Sequence, residues 1–422
     1  MTKNRNRNDA GYTNNSNRFS SSGERVKTDL ARTSKLNEQG SQNKTNSTLK
    51  IKKGEFDKPF FLIILVLMVI GTVMMFSASY YWGLTESGDG YIYVKKQMGI
   101  AAVGFVFMFI LSFIDYRIFK NLKLVLFIFI GSLGMLAFTS FFGTIHNGAR
   151  RWLRFGPLEF QPSEVMKFGV VILFAYLISI NYKRMKKFKY GILPFFIVLG
   201  VIAALMMIQP HLSGTILICA IGLVMIFVGG ANLKYLIGTA LLAVGGLISV
   251  VLYKIMSEGF SYFTVRIQSW MDPFADVSKN TWQTCQSLIA IGSGGLFGMG
   301  FGESRQKFLY LPESKNDFVF AIVCEELGLI GALLVIVLFC LFIFRGFYIA
   351  SKSPDKFGMM LAVGLTVQIG IQALLNIAVV TNTIPNTGIS LPFFSYGGTA
   401  LAMQLAQMGI ILNISRHSIM EE

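Results

Sequence analysis

Along the chain, apolar residues gather in runs of roughly 18 to 25 positions separated by shorter polar stretches, and each run is long enough to cross a hydrocarbon layer as a helix. Ten runs are readable, at about 60–81, 97–114, 122–141, 165–181, 191–208, 212–229, 233–256, 318–344, 358–381 and 396–414. A transmembrane β-barrel would instead show alternating strands of about ten residues. The pattern predicts an all-α polytopic membrane protein of ten transmembrane helices, with a large extracytoplasmic loop, 257–317, between helices 7 and 8. Unstructured loops of that length in a compact domain are usually functional. A second outside segment, 142–164, is rich in Gly and Arg. Ahead of the first run, residues 1–58 carry Asn, Ser, Thr, Lys and Arg with almost no apolar periodicity. Such a stretch cannot bury enough surface to fold and is too long and polar for the start of a signal peptide. It reads as a disordered basic cytoplasmic tail, either solubilising ballast drawn to anionic lipid or a docking site for a partner. The membrane domain then covers 59–416, and 417–422 form a short cytoplasmic tail. No internal repeat or matched pair of interrupted helices is visible, which weighs against an inverted-repeat transporter.

Composition sharpens this picture. Only 14% of residues are charged and 53% are apolar, against about 25% charged in ordinary soluble domains. That excludes both an average soluble protein and a disordered chain. The net charge is +16, but residues 1–58 hold 13 basic and 6 acidic residues, so +7 belongs to the tail. The rest sits at the ends of runs, where it reads as topology and not as a nucleic-acid surface. With the N-terminus inside, short inner loops carry 13 basic residues, including Arg117, Lys120, Arg184, Lys187, Arg345 and Arg416. The outer segments carry 10, mostly in the two longer ones. Both termini are therefore expected to be cytoplasmic. The four cysteines show no metal or disulfide spacing. His146, His211 and His417 are scattered in sequence, which argues against a His-based catalytic site.

The candidate chemistry falls on the outer side. Asp317 stands where a polar loop enters an apolar helix. Partial desolvation there raises a carboxyl pKa and suits a general base near neutrality; the alternative is a helix N-cap. Glu325 and Glu326 follow about two turns deeper, and intramembrane carboxylates suggest function unless they pair with a basic residue. In QPSEVMK, Ser163 is the expected cap, and Glu164 and Lys167 share a helix face. Lys167 either neutralises a substrate phosphate or pairs with Glu164. Arg150, Arg151 and Arg154 could hold pyrophosphate or anchor at lipid headgroups. The glycine run at 292–302 could cradle phosphate through backbone N–H groups or serve packing. The last outer segment, 382–399, has too many Pro and Gly for helix. Irregular backbone at membrane depth must be buried by protein or line a cavity, and Ser395, Tyr396 and Thr399 would offer hydroxyls to it.

The stretches FGPLEFQPSEVMKF, RIQSWMDPF, QSLIAIGSGGLFGMGFGESRQKFLYLPESKNDFVFAIVCEELG and NTGISLPFFSYGGT, spread over about 56–416, resemble the SEDS family (shape, elongation, division and sporulation), nearest its division type. The resemblance implies a peptidoglycan glycosyltransferase of the bacterial cytoplasmic membrane, at the septum if of the division type. Such a protein polymerises lipid II and releases undecaprenyl pyrophosphate. It places the catalytic carboxylate on Asp317 and the family's basic positions on Arg151 and Lys167; the chemistry of the residues themselves adds Glu164, Ser395 and, as weaker candidates, Arg305 and Lys307 as further substrate contacts. It implies a class B penicillin-binding protein and other division proteins as partners. A divalent cation, Mg or Mn, is a possible cofactor; no organic cofactor and no nucleic acid are expected. One departure is visible: the family often carries an acidic residue where QPHLSGT has His211. Rival readings are a lipid II flippase, which needs no base, and a non-catalytic division scaffold.

Overall fold

The computed structural model describes residues 54–146, 149–155, 158–209, 211–258, 261–277 and 281–418. The expected tail therefore lies outside the described residues as far as position 53. The chain from 54 on is a bundle of helices. In order these are α1 (Lys58–Ser87), α2 (Ile92–Phe113), α3 (Leu122–Phe142), α4 (Pro162–Asn181), α5 (Leu193–Ile208), α6 (Leu212–Val228), α7 (Leu233–Glu258), α8 (Ser261–Met271), α9 (Trp282–Gly294), α10 (Val319–Ser351), α11 (Lys356–Val380) and α12 (Gly398–His417).

Each of the ten apolar runs forms one helix. Among the described residues, seven helices are long and apolar enough to cross a membrane, and the chain is a multi-pass membrane protein. α6 has only 17 residues; α7, 26 residues long, stays apolar in sequence through Leu247–Tyr253. α12 is diluted by Gln404, Gln407, Asn413 and Ser415, all buried inside the bundle. Many large apolar side chains on α1, α2, α3 and α10 face outward, Phe127 at 77% exposure among them, as expected for surfaces solvated by lipid tails.

α11 is the central helix. It packs against α4, α6, α10 and α12, and 72% of its most apolar stretch is buried, against 22% for α3. At one end of the bundle, Asp57 caps α1 by accepting from the Phe60 amide at 2.8 Å. It also takes Nε and Nη2 of Arg345 on α10, at 3.0 and 2.7 Å. Its own amide donates to Ser415 of α12 at 3.0 Å. One aspartate thus fastens three helices.

Three features depart from the expected pattern. The Arg-rich segment folds as a three-stranded antiparallel sheet, β1 (Thr144–His146), β2 (Ala149–Phe155) and β3 (Leu158–Phe160), with Trp152 opposite Thr144 and Leu153 opposite Phe160. The large loop contains α8 and α9. Finally, α10 is broken at Gly328, whose φ of 66° and ψ of −166° lie outside the helix. The glycine run that follows α9 enters this break. Met299 and Gly300 donate to the carbonyls of Glu325 and Glu326 at 2.9 and 3.1 Å. In return, Leu329 and Ile330 donate to those of Gly295 and Leu296 at 2.9 and 3.2 Å. Backbone groups freed by the break would be costly in an apolar layer, and the loop satisfies them from both sides. Two of the run's N–H groups are thus spent on α10 and that of Gly298 on the Gly294 carbonyl, which favours the packing reading of these glycines over the phosphate cradle.

Candidate active site around Asp317

The segment leading to Asp317 is fastened residue by residue. Ser314 is fully buried on α1, accepting from Trp82 Nε1 at 3.0 Å and donating to the Ala78 carbonyl at 3.3 Å. The Lys315 carbonyl accepts from the Tyr396 amide at 2.8 Å. Its ammonium donates to Tyr93 at 2.7 Å and Glu86 at 3.2 Å, and lies over the rings of Trp82 and Tyr93. The Asn316 carbonyl accepts from Ser395 Oγ at 2.5 Å. The Asp317 carbonyl accepts from Asn376 Nδ2 of α11 at 2.7 Å, and the same amide group holds the Ile389 carbonyl at 2.6 Å. Four successive residues are thus tied to different parts of the bundle, which leaves the carboxyl little freedom to wander.

Asp317 is not a helix cap. The cap position of α10 is Phe318, and no side chain bonds there. Among the described residues no group donates a hydrogen bond to the Asp317 carboxylate. Its Oδ2 lies 3.2 Å from where a Cβ would stand on Gly388, which sits at φ +70°. The side chain keeps part of its surface open, yet its pKa is pushed up to about 7. Burial is the main cause, reinforced by the Glu313 charge and opposed by Arg266 and Arg151. A carboxyl that titrates near neutrality, without internal partners and beside two arginines, can take a proton from a bound hydroxyl.

Beside Asp317 lies a small polar recess of about 40 Å³, lined by α4, α6, α11 and the 388–390 segment. Lys167, only 3% exposed, reaches Glu164 at 2.8 Å and Gln372 Oε1 at 2.8 Å. Gln372 in turn donates to the Ser390 carbonyl and hydroxyl at 3.1 and 3.2 Å. Of the two readings of Lys167, the structure shows the pairing with Glu164. Ser163 is not the cap of α4: Gln161 occupies that position, without a side-chain bond, and Ser163 lies buried within the first turn. Of the three arginines on β2, Arg151 is half-buried and is felt at both Asp317 and His211. Arg150 is exposed and turned to the Phe141 carbonyl at 3.0 Å; Arg154 is exposed as well.

The other expected contacts sit elsewhere. Lys307 is buried, with its ammonium donating to Gly302 O, to Glu326 at 3.2 Å and to Ser77 at 3.3 Å. Glu326 also accepts from Ser77 at 2.6 Å. Glu325 accepts from Ser304 Oγ and from the Arg305 amide at 2.9 Å, so it holds the 304–307 turn. The two intramembrane carboxylates are thus structural, and Lys307 is occupied by one of them. The Arg305 side chain is exposed. The Ser395 hydroxyl joins two loops by accepting from the Leu391 amide at 2.7 Å and donating to Asn316, so it does not open into the recess. Removing one member of a buried ion pair strands the other charge. Glu326→Leu is therefore expected to lose about 3 kcal/mol of stability, and adding Lys307→Met should restore most of it; thermal melting of the single and double variants checks this.

Several residues around Asp317 have no role assigned from sequence. Arg266 donates to the Asn386 carbonyl and acts on Asp317. Gln283 links Asn386, at 2.9 Å, to the Pro312 carbonyl, at 3.4 Å. Gln368, Gln372 and Asn376, at spacings of four, form one buried polar stripe on α11. That i, i+4, i+8 stripe in an otherwise apolar run is a signal that sequence does carry.

A family model described as "Cell cycle protein", of FtsW, RodA and SpoVE, matches residues 57–420. Stage V sporulation protein E of Bacillus subtilis is 38% identical over 371 residues, covering 87% of this chain and 99% of that protein. A probable peptidoglycan glycosyltransferase FtsW of Geobacter sp. is 34% identical over 360 residues, covering 85% and 96%. Among solved structures, a chain from work on structural coordination of polymerization and crosslinking by a peptidoglycan synthase complex superposes with a TM-score of 0.68 at 24% identity. The superposition covers 86% of this chain and 98% of that one. The rod shape determining protein RodA of Thermus thermophilus gives 0.63 at 24% identity, covering 87% and 98%. These two likenesses show a shared fold.

Proposed function

The chain belongs to the FtsW/RodA/SpoVE family of cell cycle proteins, and on that premise we propose that it is a peptidoglycan glycosyltransferase of the division type, polymerising lipid II with Asp317 as general base. The proteins named FtsW among its relatives support the activity. The observation that supports the residue is a carboxyl pushed up to about 7, held by a rigid loop and free of internal hydrogen bonds. In the reaction, Asp317 takes the proton from the acceptor sugar's 4-hydroxyl as that oxygen bonds to the donor's anomeric carbon. The bond from that carbon to undecaprenyl pyrophosphate breaks as the new one forms. Pyrophosphate is already a good leaving group, so no second carboxylate is needed to protonate it, unlike glycoside hydrolysis. Arg151 and Arg266 offset the charge that develops on it. Among the described residues no three His, Cys, Asp or Glu side chains converge, so a divalent cation would be held largely by the substrate's own phosphates, where it would offset their charge. No step is routed through one.

In this reading the chain spans the bacterial cytoplasmic membrane ten times, with both termini inside and Asp317 outside. A class B penicillin-binding protein crosslinks the strands beside it, in keeping with the coordination of polymerization and crosslinking in the peptidoglycan synthase complex that shares its fold. The test is polymerisation of labelled lipid II by the purified full chain, with and without that partner. A ladder of glycan chains is expected. Transport of lipid II across vesicles with no chains formed would favour a flippase instead. The pH profile adds a second check. A base must be deprotonated, and this one titrates near 7, so the rate should climb as pH rises through about 7 and fall on the acid side. A rate unchanged between about pH 5.5 and 8.5 would remove Asp317 from that role.

A further inference from the structure

No second histidine lies near His211 in sequence, yet the fold carries this residue to the recess beside Asp317. It is only 6% exposed and lines that recess with Lys167, Gln372, Gly388 and Ser390. Its backbone is fixed: the amide donates to Met206 O at 3.0 Å, and the carbonyl accepts from the Thr215 amide and hydroxyl at 3.2 and 3.0 Å. Its ring leans on Gly214, where a Cβ would stand 2.8 Å from Cε1 and 3.0 Å from Nδ1. Among the described residues, Nδ1 is a buried polar atom without a hydrogen-bond partner. Such an atom is costly and uncommon enough to require an explanation.

We infer that His211 is a substrate-positioning residue whose Nδ1 hydrogen-bonds an uncharged ring substituent, a hydroxyl or acetamido group, of the bound amino sugar. This rests on the glycosyltransferase reading above. Two observations point to an uncharged group and away from the pyrophosphate. First, the recess carries no net charge. Lys167 is matched by Glu164 at 2.8 Å, and the imidazole is neutral because burial, then the charges of Arg151 and Lys167, push its pKa down to about 3. The remaining polar lining, Gln161, Ser163, Ser213, Gln372 and Ser390, is uncharged. Second, Gly388 both lines the recess and abuts Asp317 Oδ2. A group bound there lies one residue's breadth from the base, where substituents neighbouring the reacting atoms must sit.

The test compares the full-length wild type with His211→Leu and His211→Asn, the latter placing an amide where Nδ1 stands. His211→Leu should raise KM for lipid II about tenfold, the loss of one hydrogen bond, with kcat changed less than about threefold. His211→Asn should stay near wild type. Undecaprenyl pyrophosphate, which lacks the sugar, should inhibit all three with the same constant. An unchanged KM in His211→Leu overturns the inference. So does an inhibition constant that rises in step with KM, which would turn the ring toward phosphate. If His211→Leu does not fold, Gly214→Ala, which pushes the ring aside, must raise KM alone in the same way, and an unchanged KM there is equally fatal. Should the wild type make no glycan, the glycosyltransferase reading fails by itself. Direct binding of labelled lipid II to wild type and His211→Leu then decides the contact separately.

Discussion

Asp317→Ala is expected to reduce glycan polymerisation by at least about a hundredfold, within the range that general bases contribute, while the protein is recovered folded. The folding half of this expectation comes from how the loop is held. Its ties run through Ser314 Oγ, the main-chain carbonyls of 315, 316 and 317, and the Lys315 ammonium, none of which involves the Asp317 carboxyl. Asp317→Asn is the sharper variant, because it keeps shape and polarity but cannot take a proton. It should be as inactive as the alanine form. A positioning role for the carboxyl would leave the asparagine form substantially active. Were the chain a flippase, the asparagine form would still move lipid. Stability supplies an independent reading. The folded pKa lies near 7 and the ordinary value is 3.8, so the folded state binds this proton more tightly than the unfolded one. The group's contribution is best below about pH 4 and is lost as pH rises through about 7. Asp317→Asn should therefore melt above wild type at about pH 8, and the gap should close toward about pH 4. A variant that melts lower on the alkaline side would contradict the environment described for this carboxyl.

The second large effect concerns the break in α10. A Cβ on Gly298 would collide with the Glu326 carbonyl oxygen, and the residue sits at φ +80°, a conformation that other residues adopt at a cost. The clash partner is not a flexible side chain but a backbone carbonyl that accepts from the Gly300 amide across the break. Gly298→Ala should cost about 4 kcal/mol or more, the range reserved for strained, overpacked or unsatisfied sites, and little monodisperse protein should survive extraction in detergent. Gly200→Ala is the matched control. That glycine lies within α5 with nothing near its missing Cβ, so the variant should melt at or above wild type. If both variants behave alike, the loop does not seal the break in the way the geometry implies.

Much of this protein was legible in order along the chain. The ten apolar runs became ten helices with ends displaced by at most seven residues, because the length of an apolar run is a local property that burial or lipid rewards directly. Asp317 shares its place at the border of an apolar run with Asp57 and Asp115, and the motif around it, which resembles the family's, set it apart. Partners within one helix turn, such as Glu164 for Lys167, were legible; distant ones were not. Lys307 and Lys167 looked alike as basic residues near the outer ends of runs. The fold closes one against Glu326, nineteen positions away, and brings the other beside Gln372, more than two hundred positions away.

Composition and periodicity by themselves thus determined that the chain is a helical membrane protein and where its helices lie, while the family motif singled out Asp317. The tertiary structure alone decided which charges cancel, that the glycine run mends a broken helix, and that a solitary histidine shares a recess with the candidate base. The reason is physical: helix formation in an apolar run depends on residues three and four apart, whereas the pairing of a buried charge depends on whatever distant segment packing carries within about 3 Å of it.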